Sequence, residues 1–347
     1  MNLQLSTLPR DEMERAFQAH DSSYDGLFFY AVRTTGIFCR PSCASRPKPE
    51  HVEFFPTVRD AIFAGYRPCK RCAPLATNGE PPSWVAGLQE RVESSPDCSL
   101  KAADLRALGI SPERARRWFL ENYGMTFVAW CRGRRLANAF TQIREGAPLD
   151  DVILSHGYES HSGFREAFGK TFGNAPGRSR DGSCIVTAMI ESPLGRLLAG
   201  TTDAGICLLE FTDRRMLETN YETMRKRYDC AVVPGEHAHL ETLRDELARY
   251  FAGKLRAFTT PIDARGTAFQ ERVWSELRRI LHGTTISYDA LANRIGNPNA
   301  VRAVARANGT NRVCILIPCH RVIAKDGTLS GYGGGVWRKR LLLDLEK

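Results

Sequence analysis

The chain has no apolar run approaching the roughly 20 residues that a membrane-spanning helix requires. Its first residues, MNLQLSTLPRDEMER, lack the basic stretch and apolar core of a secretory signal, and no repeat of solenoid period is present. These absences argue against membrane-spanning and exported classes and predict a cytoplasmic protein. The 347 residues are 43% apolar and 25% charged, which excludes a wholly disordered or collagen-like chain. At roughly 100–200 residues per domain, the length predicts two to four units.

Acidic residues are scarce in one part of the chain. The net charge is +9, and residues 263–347 carry 14 basic against 7 acidic side chains, a local excess of +7. Such an excess favours a polyanionic partner, above all nucleic acid. The alternative is a basic surface that serves solubility alone.

The cysteines are odd in number, eleven in all, and the chain shows no sign of export. A disulfide framework is therefore disfavoured, and metal-binding or catalytic roles become the default. A CxxxC pair and a CxxC pair lie 26 residues apart and predict one four-cysteine Zn²⁺ site, made by Cys39, Cys43, Cys69 and Cys72. Such a centre is ordinarily closed and structural, which is the first of two interpretations.

The second interpretation is a chemical switch. Four thiolates on one divalent cation leave a centre of net charge −2, whose sulfurs stay ionised and nucleophilic. Basic residues such as Arg46 and Arg67 lie nearby in sequence and can hold a phosphate backbone. Alkylation of one sulfur would lower the negative charge and with it the repulsion of DNA.

The segments AVRTTGIFCRPSC and YRPCKRC resemble the metal-binding module of the Ada family of bacterial alkyltransferases and response regulators. The resemblance implies that Cys39 accepts the methyl group of a methylphosphotriester and that Cys43, Cys69 and Cys72 complete the metal shell.

The middle of the chain reads as two helix-turn-helix units. Ser111 and Pro112 begin one predicted helix, and Ser160 begins another that carries phenylalanine at 164, 168 and 172. The pattern SxGYxSxSxF from Ser155 onward resembles AraC-type regulators. The side chains expected to enter DNA grooves are Arg114, Arg117, His161, Ser162 and Arg165. The alternative is a plain helical bundle, and Gly133 within the connecting helix should cost about 1 kcal/mol relative to alanine.

Residues 183–262 alternate short apolar runs with turns and predict a small α/β lobe in which no chemistry is visible. From residue 267 onward the pattern predicts short helices, one of them capped by Ser287 and another by Asn297. The apolar residues 314–317 predict a strand, and the sequence Pro-Cys-His-Arg follows it directly. Because a neighbouring imidazole or guanidinium favours the thiolate, Cys319 is a candidate nucleophile.

PCHRV, together with SYDALA and AVRAVA upstream, resembles the O6-alkylguanine-DNA alkyltransferases. The resemblance implies that Cys319 takes the alkyl group of a flipped guanine and that His320, through water and with Glu346, deprotonates the thiol. Arg302 would fill the gap left by the base, Tyr288 would help to rotate it out, and Asn311 would order the loop behind the site. The chain departs from the family at Asn311-Arg312, at Gly333-Gly334 and in the short C-terminal helix before Glu346.

Together these patterns predict a multidomain α+β protein. The predicted parts are a zinc-bearing α/β module at 1–78, an all-α paired helix-turn-helix region at 84–180, an α/β lobe at 183–262 and a winged-helix-like helical lobe at 263–347. The expected partners are alkylated double-stranded DNA, promoter DNA and RNA polymerase, with no membrane. The expected function is single-turnover repair at Cys319 and Cys39, with activation of transcription by the protein methylated at Cys39. The alternatives are a zinc-containing regulator with inactive repair centres and a glycosylase, and the chain after residue 181 lacks the helix-hairpin-helix and aspartate of a glycosylase.

Overall fold

The computed structural model describes residues 8–75, 82–94, 100–123, 125–172, 176, 183–213, 217–329 and 331–347. The stretches TNGEPPS at 77–83 and NAPGRSRDGS at 174–183 are rich in turn residues and polar residues, which predicts linkers, and they fall almost entirely outside the described residues. The chain forms two compact units, one made of residues up to 80 with 329–344 and the other of residues 81–328 with 345–347. Within the described ranges, every helix is too short or too polar to cross a bilayer.

The first unit holds a small four-stranded sheet. Its elements are α1 (Arg10–Ala19), β1 (Phe29–Val32), β2 (Ile37–Cys39), β3 (Val52–Phe55), α2 (Val58–Phe63) and β4 (Arg67–Pro68). The strand order is β3-β1-β2-β4, and β4 runs parallel to β2 with Ile37 opposite Arg67. Cys39 is the last residue of β2, and Cys69 comes directly after β4. Because β2 and β4 run parallel, the two cysteine motifs meet at the same edge of the sheet.

The same unit includes the C-terminal helix, Val336–Leu345. Nε1 of Trp337 donates a hydrogen bond to the carbonyl of Ser23 over 2.8 Å. Arg340 pairs with the buried carboxylate of Glu12 at 2.6 Å, and Glu12 also accepts a bond from Tyr24. The end of the chain is therefore tied to the segment around α1.

The second unit begins with an all-α region. It comprises α3 (Ser83–Glu93), α4 (Ala102–Ala107), α5 (Pro112–Tyr123), α6 (Phe127–Arg144), α7 (Leu149–Ser155) and α8 (His161–Phe172). The hydroxyl of Ser111 accepts a bond from the Arg114 amide, and that of Ser160 accepts one from the Gly163 amide, so both predicted N-caps are confirmed. Phe164 and Phe168 are fully buried, as a core role requires.

Gly133 lies in α6 where this helix packs against the sheet that follows. A Cβ atom at position 133 would lie 2.8 Å from Cδ of Pro234. Glycine at position 133 therefore lets the backbone of α6 lie close to the strand that contains Pro234. This close contact explains why glycine occupies a helical position where its helix propensity alone is unfavourable.

The α/β lobe comprises β5 (Cys184–Ile190), β6 (Leu197–Thr202), β7 (Gly205–Phe211), α9 (Leu217–Tyr228), β8 (Ala231–Pro234) and α10 (Ala238–Phe251). The sheet order is β7-β6-β5-β8, with β8 parallel to β5. The short apolar runs that predict an α/β lobe form its strands β5, β6 and β7. The strand β8 was not foreseen, because its four residues are too short to show a period.

The last elements are α11 (Ala268–Arg278), β9 (Ile286–Ser287), α12 (Tyr288–Arg294), α13 (Val301–Gly309), β10 (Val322–Ile323) and α14 (Val336–Leu345). Ser287 caps α12 as predicted, since its hydroxyl accepts from the Ala290 amide over 3.0 Å. Asn297 takes the predicted N-cap position with Pro298 after it, but it precedes a 3₁₀ turn, Pro298–Ala300, that leads into α13, and its side chain makes no capping bond.

The predicted apolar strand at 314–317 is wrong. This segment is a buried turn in which Ile315 has a φ of +70°, and Cys319–Arg321 form a 3₁₀ turn. The turn is held against β7 by a bond from the Leu209 amide to the carbonyl of Arg312 over 2.7 Å. The apolar residues reflect burial in a turn, which periodicity cannot distinguish from a short buried strand.

Candidate functional sites

The four cysteines of the first unit converge on one point. Their Sγ atoms all lie within 4.8 Å of one another, and Cys39 and Cys43 are buried whereas Cys69 and Cys72 are half-buried. A tetrahedral Zn²⁺ with bonds of about 2.3 Å needs sulfurs about 3.8 Å apart, so the cluster has the size and donor set of a zinc-thiolate centre.

Two contacts distinguish the sulfurs. The backbone amide of Arg40 donates to Sγ of Cys72 over 3.5 Å, which holds the second motif against the first. Sγ of Cys39 lies 3.9 Å from the hydroxyl of Ser45, and that hydroxyl bonds to Tyr30 over 2.6 Å. The surroundings of Cys39 are therefore fixed by side chains from β1 and from the loop after the first motif.

A groove of about 790 Å³ opens beside Cys39 and Cys43. Five of its lining residues are basic, namely Arg46, Lys48, Arg67, Lys70 and Arg71. Arg46 and Arg67, which the sequence predicted for DNA binding, are both exposed. The groove therefore places positive charge next to a centre that itself carries negative charge, an arrangement suited to a phosphate backbone.

The predicted groove-reading residues lie on the second helix of each helix-turn-helix unit. Arg114 and Arg117 are exposed on α5, and the Arg114 guanidinium lies 5.0 Å from the ring of Trp84. His161, Ser162 and Arg165 are exposed on the first turns of α8. Nε2 of His161 lies 3.4 Å from the carboxylate of Asp150, and both side chains are exposed.

Cys319 occupies the first position of its 3₁₀ turn and is 6% exposed. Nδ2 of Asn311 donates to its sulfur over 3.2 Å and to the carbonyl of Ile317 over 2.8 Å. Nδ2 of Asn308 lies 3.4 Å from the Cys319 carbonyl. The predicted loop-ordering residue, Asn311, therefore also contacts the sulfur itself, where an N–H donor stabilises a thiolate.

His320 and Glu346 form a buried pair. Nε2 of His320 lies 2.9 Å from Oε1 of Glu346, and Arg321 binds the same carboxylate through Nε at 2.8 Å and Nη2 at 2.9 Å. Burial alone would raise the pKa of Glu346, but the bonds from His320, Arg321 and Tyr250 outweigh it and hold the pKa far below its ordinary value of 4.5. A carboxylate can only accept, so Nε2 of His320 carries the proton and Nδ1 is the nitrogen that can receive one.

Tyr288 and Arg302 occupy different environments. Tyr288 begins α12 and is half-buried, and burial together with the nearby Cys319 raises its pKa. Arg302 is exposed on the first turn of α13. The influence of Cys319 on the Tyr288 phenol places the two side chains in one neighbourhood, whereas Arg302 projects from the exposed face of α13.

Three residues of this site were missed or misplaced by sequence reasoning. Arg321 was expected to act on the thiol, yet its guanidinium is turned to Glu346 and to the carbonyl of Ile280. Asn308 carried no signal beyond its helix. Tyr250 lies in a lobe where no chemistry was visible, and its hydroxyl donates to Glu346 over 2.7 Å.

Family models match four successive segments. They describe the metal binding domain of Ada at 12–74, a helix-turn-helix domain at 105–182, and the ribonuclease-like and DNA binding domains of 6-O-methylguanine DNA methyltransferase at 185–264 and 268–347. Over 347 aligned residues the chain is 38% identical to the bifunctional transcriptional activator/DNA repair enzyme Ada of Escherichia coli K12, covering 98% of this chain and 97% of that protein. The chain belongs to the Ada family.

Of two further relatives, one matches nearly the whole chain and the other matches about half of it. The regulatory protein ada of Salmonella typhimurium is 36% identical, with 97% of this chain and 96% of that protein covered. A methylated-DNA–protein-cysteine methyltransferase of Mycobacterium bovis is 47% identical over 159 residues, 46% of this chain and 90% of that protein. This member of the Ada family therefore carries an O6-methylguanine-type DNA methyltransferase region, a helix-turn-helix DNA-binding region and one Zn²⁺ site at Cys39, Cys43, Cys69 and Cys72.

Proposed function

We propose that this protein repairs alkylated DNA stoichiometrically at two cysteines and reports the damage to the transcription machinery. Cys319 would accept alkyl groups from O6-alkylguanine and O4-alkylthymine, and Cys39 would accept them from methylphosphotriesters. The observation that carries the proposal is the buried His320–Glu346 pair beside Cys319. In a chain with this family membership, the pair supplies the base that a thiol nucleophile requires.

At Cys319 the thiol proton passes, through water, to Nδ1 of His320, while Nε2–H of the same ring stays bonded to Glu346. The thiolate then attacks the alkyl carbon in line. The S–C bond forms as the C–O6 bond breaks, and the electron pair of that bond goes to the guanine, which takes up one proton from water and remains in the DNA as the normal base. Because the thioether is stable, each molecule acts once.

The base must leave the helix stack, because an intrahelical O6-alkyl group cannot be attacked in line. Arg302, exposed on α13, would occupy the gap left in the duplex, and Tyr288 would help to rotate the nucleotide toward Cys319. Asn311 would hold the loop and the sulfur in place. The excess of positive charge after residue 263 would retain the DNA while this occurs.

At Cys39 the chemistry requires an ionised sulfur next to a phosphate. Zn²⁺ held by Cys39, Cys43, Cys69 and Cys72 would keep all four sulfurs as thiolates at neutral pH. Arg46 and Arg67 would hold the DNA backbone in the adjacent groove, so that a methylphosphotriester lies against Cys39. Methylation removes one negative charge there, and affinity for DNA rises as repulsion falls.

The methylated protein would then bind promoter DNA through α5 and α8 and activate alkylation-damage genes. Its protein partner in this step would be RNA polymerase. It would act in the cytoplasm, on the DNA of the nucleoid. Arg114, Arg117, Ser162 and Arg165 are placed to reach groove edges. His161 is exposed beside them on the first turn of α8.

The alternative function is a zinc-containing regulator with inactive repair centres. That protein would have no need to keep Cys319 bonded to Asn311 beside a buried His320–Glu346 pair. The intact geometry favours repair.

The test uses duplex DNA with methyl-labelled O6-methylguanine and methylphosphotriesters, followed by peptide mapping of the protein. Label is expected on Cys319 and Cys39, with at most one methyl group per site. Cys184 serves as an internal control, since burial raises the pKa of its thiol to about 12 and it should stay unlabelled. Label on neither acceptor would refute repair, and label on Cys319 alone would remove support for the switch.

A further inference from the structure

Tyr250 connects the α/β lobe to the reactive centre of the helical lobe. It lies near the end of α10 and is 1% exposed, and its hydroxyl donates to Oε1 of Glu346 over 2.7 Å. The α/β lobe contains no residue to which the proposed chemistry assigns a role. Through this hydroxyl it contributes a polar atom to the site.

The contact is more than a consequence of packing. The Tyr250 ring packs against Phe251 and Phe258, with centroids at 5.4 and 5.3 Å, and a phenylalanine ring would satisfy both contacts. Burial of a hydroxyl costs free energy unless the hydroxyl forms a hydrogen bond. The buried Tyr250 hydroxyl therefore requires an acceptor, and Glu346 provides it. Burial raises the pKa of Tyr250, which keeps the phenol neutral and therefore a donor.

The donors around Glu346 divide between its two oxygens. Oε2 accepts from Nε of Arg321 at 2.8 Å and faces the Gly283 amide at 3.4 Å. Oε1 accepts from Tyr250, from Nη2 of Arg321 and from His320. Tyr250 thus shares with His320 the one oxygen that orients the imidazole, and among the described contacts to this carboxylate it is the donor that comes from the α/β lobe.

The titratable groups described around Tyr250 include His282, Cys314, Arg321 and Glu346. The His282 ring centroid lies 6.3 Å away, and Cys314, Arg321 and Glu346 act on the phenol electrostatically. Arg321 is bound to the carboxylate itself. Removal of the Tyr250 hydroxyl would therefore act on the imidazole through Glu346.

We propose that Tyr250 is a positioning residue for alkyl transfer to Cys319: it fixes the Glu346 carboxylate so that His320 presents Nδ1 to the thiol. This proposal rests on the function proposed above. It also gives the α/β lobe a part in the reaction, because the lobe must be docked for the carboxylate to be held.

The test compares Tyr250→Phe with Tyr228→Phe in the full-length protein. Tyr228 is a buried tyrosine of the same lobe whose hydroxyl donates to the backbone carbonyl of Asp263 and makes no described contact with Glu346. Single-turnover transfer from O6-methylguanine DNA is measured between pH 5 and 9, together with thermal unfolding. Since loss of an orienting partner typically costs about 10- to 100-fold, we expect Tyr250→Phe to be slowed about 10-fold and Tyr228→Phe to match the unmodified protein.

The pH profile separates positioning from mere stability. Without the phenol, Oε1 binds His320 more strongly and the imidazole becomes more basic, so the acidic limb of the profile should move to higher pH. A Tyr250→Phe protein with unchanged rate and profile would overturn the proposal, as would a slowed protein with an unchanged profile.

A second measurement uses the Glu346→Gln background. If Tyr250 acts through Glu346, then adding Tyr250→Phe to Glu346→Gln should slow transfer by less than twofold, because the two changes interrupt the same contact. A further tenfold loss would contradict the route through Glu346. If the unmodified protein itself transfers no methyl group to Cys319, the proposed function has failed, which is a different result from any of these.

Discussion

Nε2 of His320 lies 2.9 Å from Oε1 of Glu346, and both side chains are almost fully buried. Glu346 is separated from His320 by 26 positions and follows the last helix of the chain. The segment after this helix therefore places a carboxylate beside His320, and that carboxylate decides which nitrogen of the imidazole carries the proton.

Replacement of Glu346 tests this arrangement directly. We expect Glu346→Gln to slow methyl transfer to Cys319 about 10- to 100-fold, because the imidazole loses the carboxylate that fixes its tautomer and raises its basicity. Glu276→Gln is the matched control, since Glu276 pairs with Arg279 on the surface of the same lobe. The measurement is a single-turnover rate on O6-methylguanine DNA, and equal rates for the two variants would contradict the role of Glu346.

Acid stability should depend on the same carboxylate. Because the pKa of Glu346 is depressed in the folded state, its contribution is fully present above pH 4.5 and is lost as the pH falls toward the folded-state pKa. The free energy of unfolding, measured by urea titration, should therefore decrease as the pH drops below about 5. Glu346→Gln should show a smaller decrease over that window, and an identical slope in both proteins would refute this account.

How far the sequence determined the site can be judged from particular residues. The cysteine cluster was predictable because each motif is local, and two short spacings restrict four sulfurs to one centre. Cys319 and His320 were predictable because they are adjacent. Glu346 came from resemblance alone, and only the folded chain shows that it meets His320.

The failures have physical causes. The turn at 314–317 is as apolar as a buried strand, and the hydrophobic pattern cannot predict the φ of +70° at Ile315. Tyr250 acts across 96 positions of sequence from a helix whose other features are those of an ordinary amphipathic helix. Gly133 was read as a local cost because its partner, Pro234, lies in a strand that the sequence did not reveal.

Metal content provides a further prediction. The unmodified protein should hold one Zn²⁺ per chain, and Cys69→Ser should lose it because three thiolates no longer close the site. Loss of the ion should also destabilise the small sheet β3-β1-β2-β4, whose core includes these cysteines. Cys131→Ser is the control for zinc content, since Cys131 is buried in the core of the helical region and is not one of the four clustered cysteines. Elemental analysis and circular dichroism report both effects, and one retained zinc in Cys69→Ser would contradict the four-cysteine site.

The packing of α6 on the α/β lobe predicts opposite outcomes for two glycines in helices. Gly87 lies in α3 with open space where a Cβ would be placed, so Gly87→Ala should stabilise the helical region by about 1 kcal/mol. At Gly133 the new Cβ would meet Cδ of Pro234 at 2.8 Å, and a proline ring cannot swing aside as a flexible side chain would. The overpacking cost of about 1–3 kcal/mol then exceeds the gain in helix propensity, so Gly133→Ala should destabilise. Amide hydrogen exchange in α3 measures the effect of Gly87→Ala, and exchange in α6 measures the effect of Gly133→Ala. If both substitutions slow exchange, the contact between α6 and Pro234 does not exist in solution, because helix propensity alone would then govern both sites.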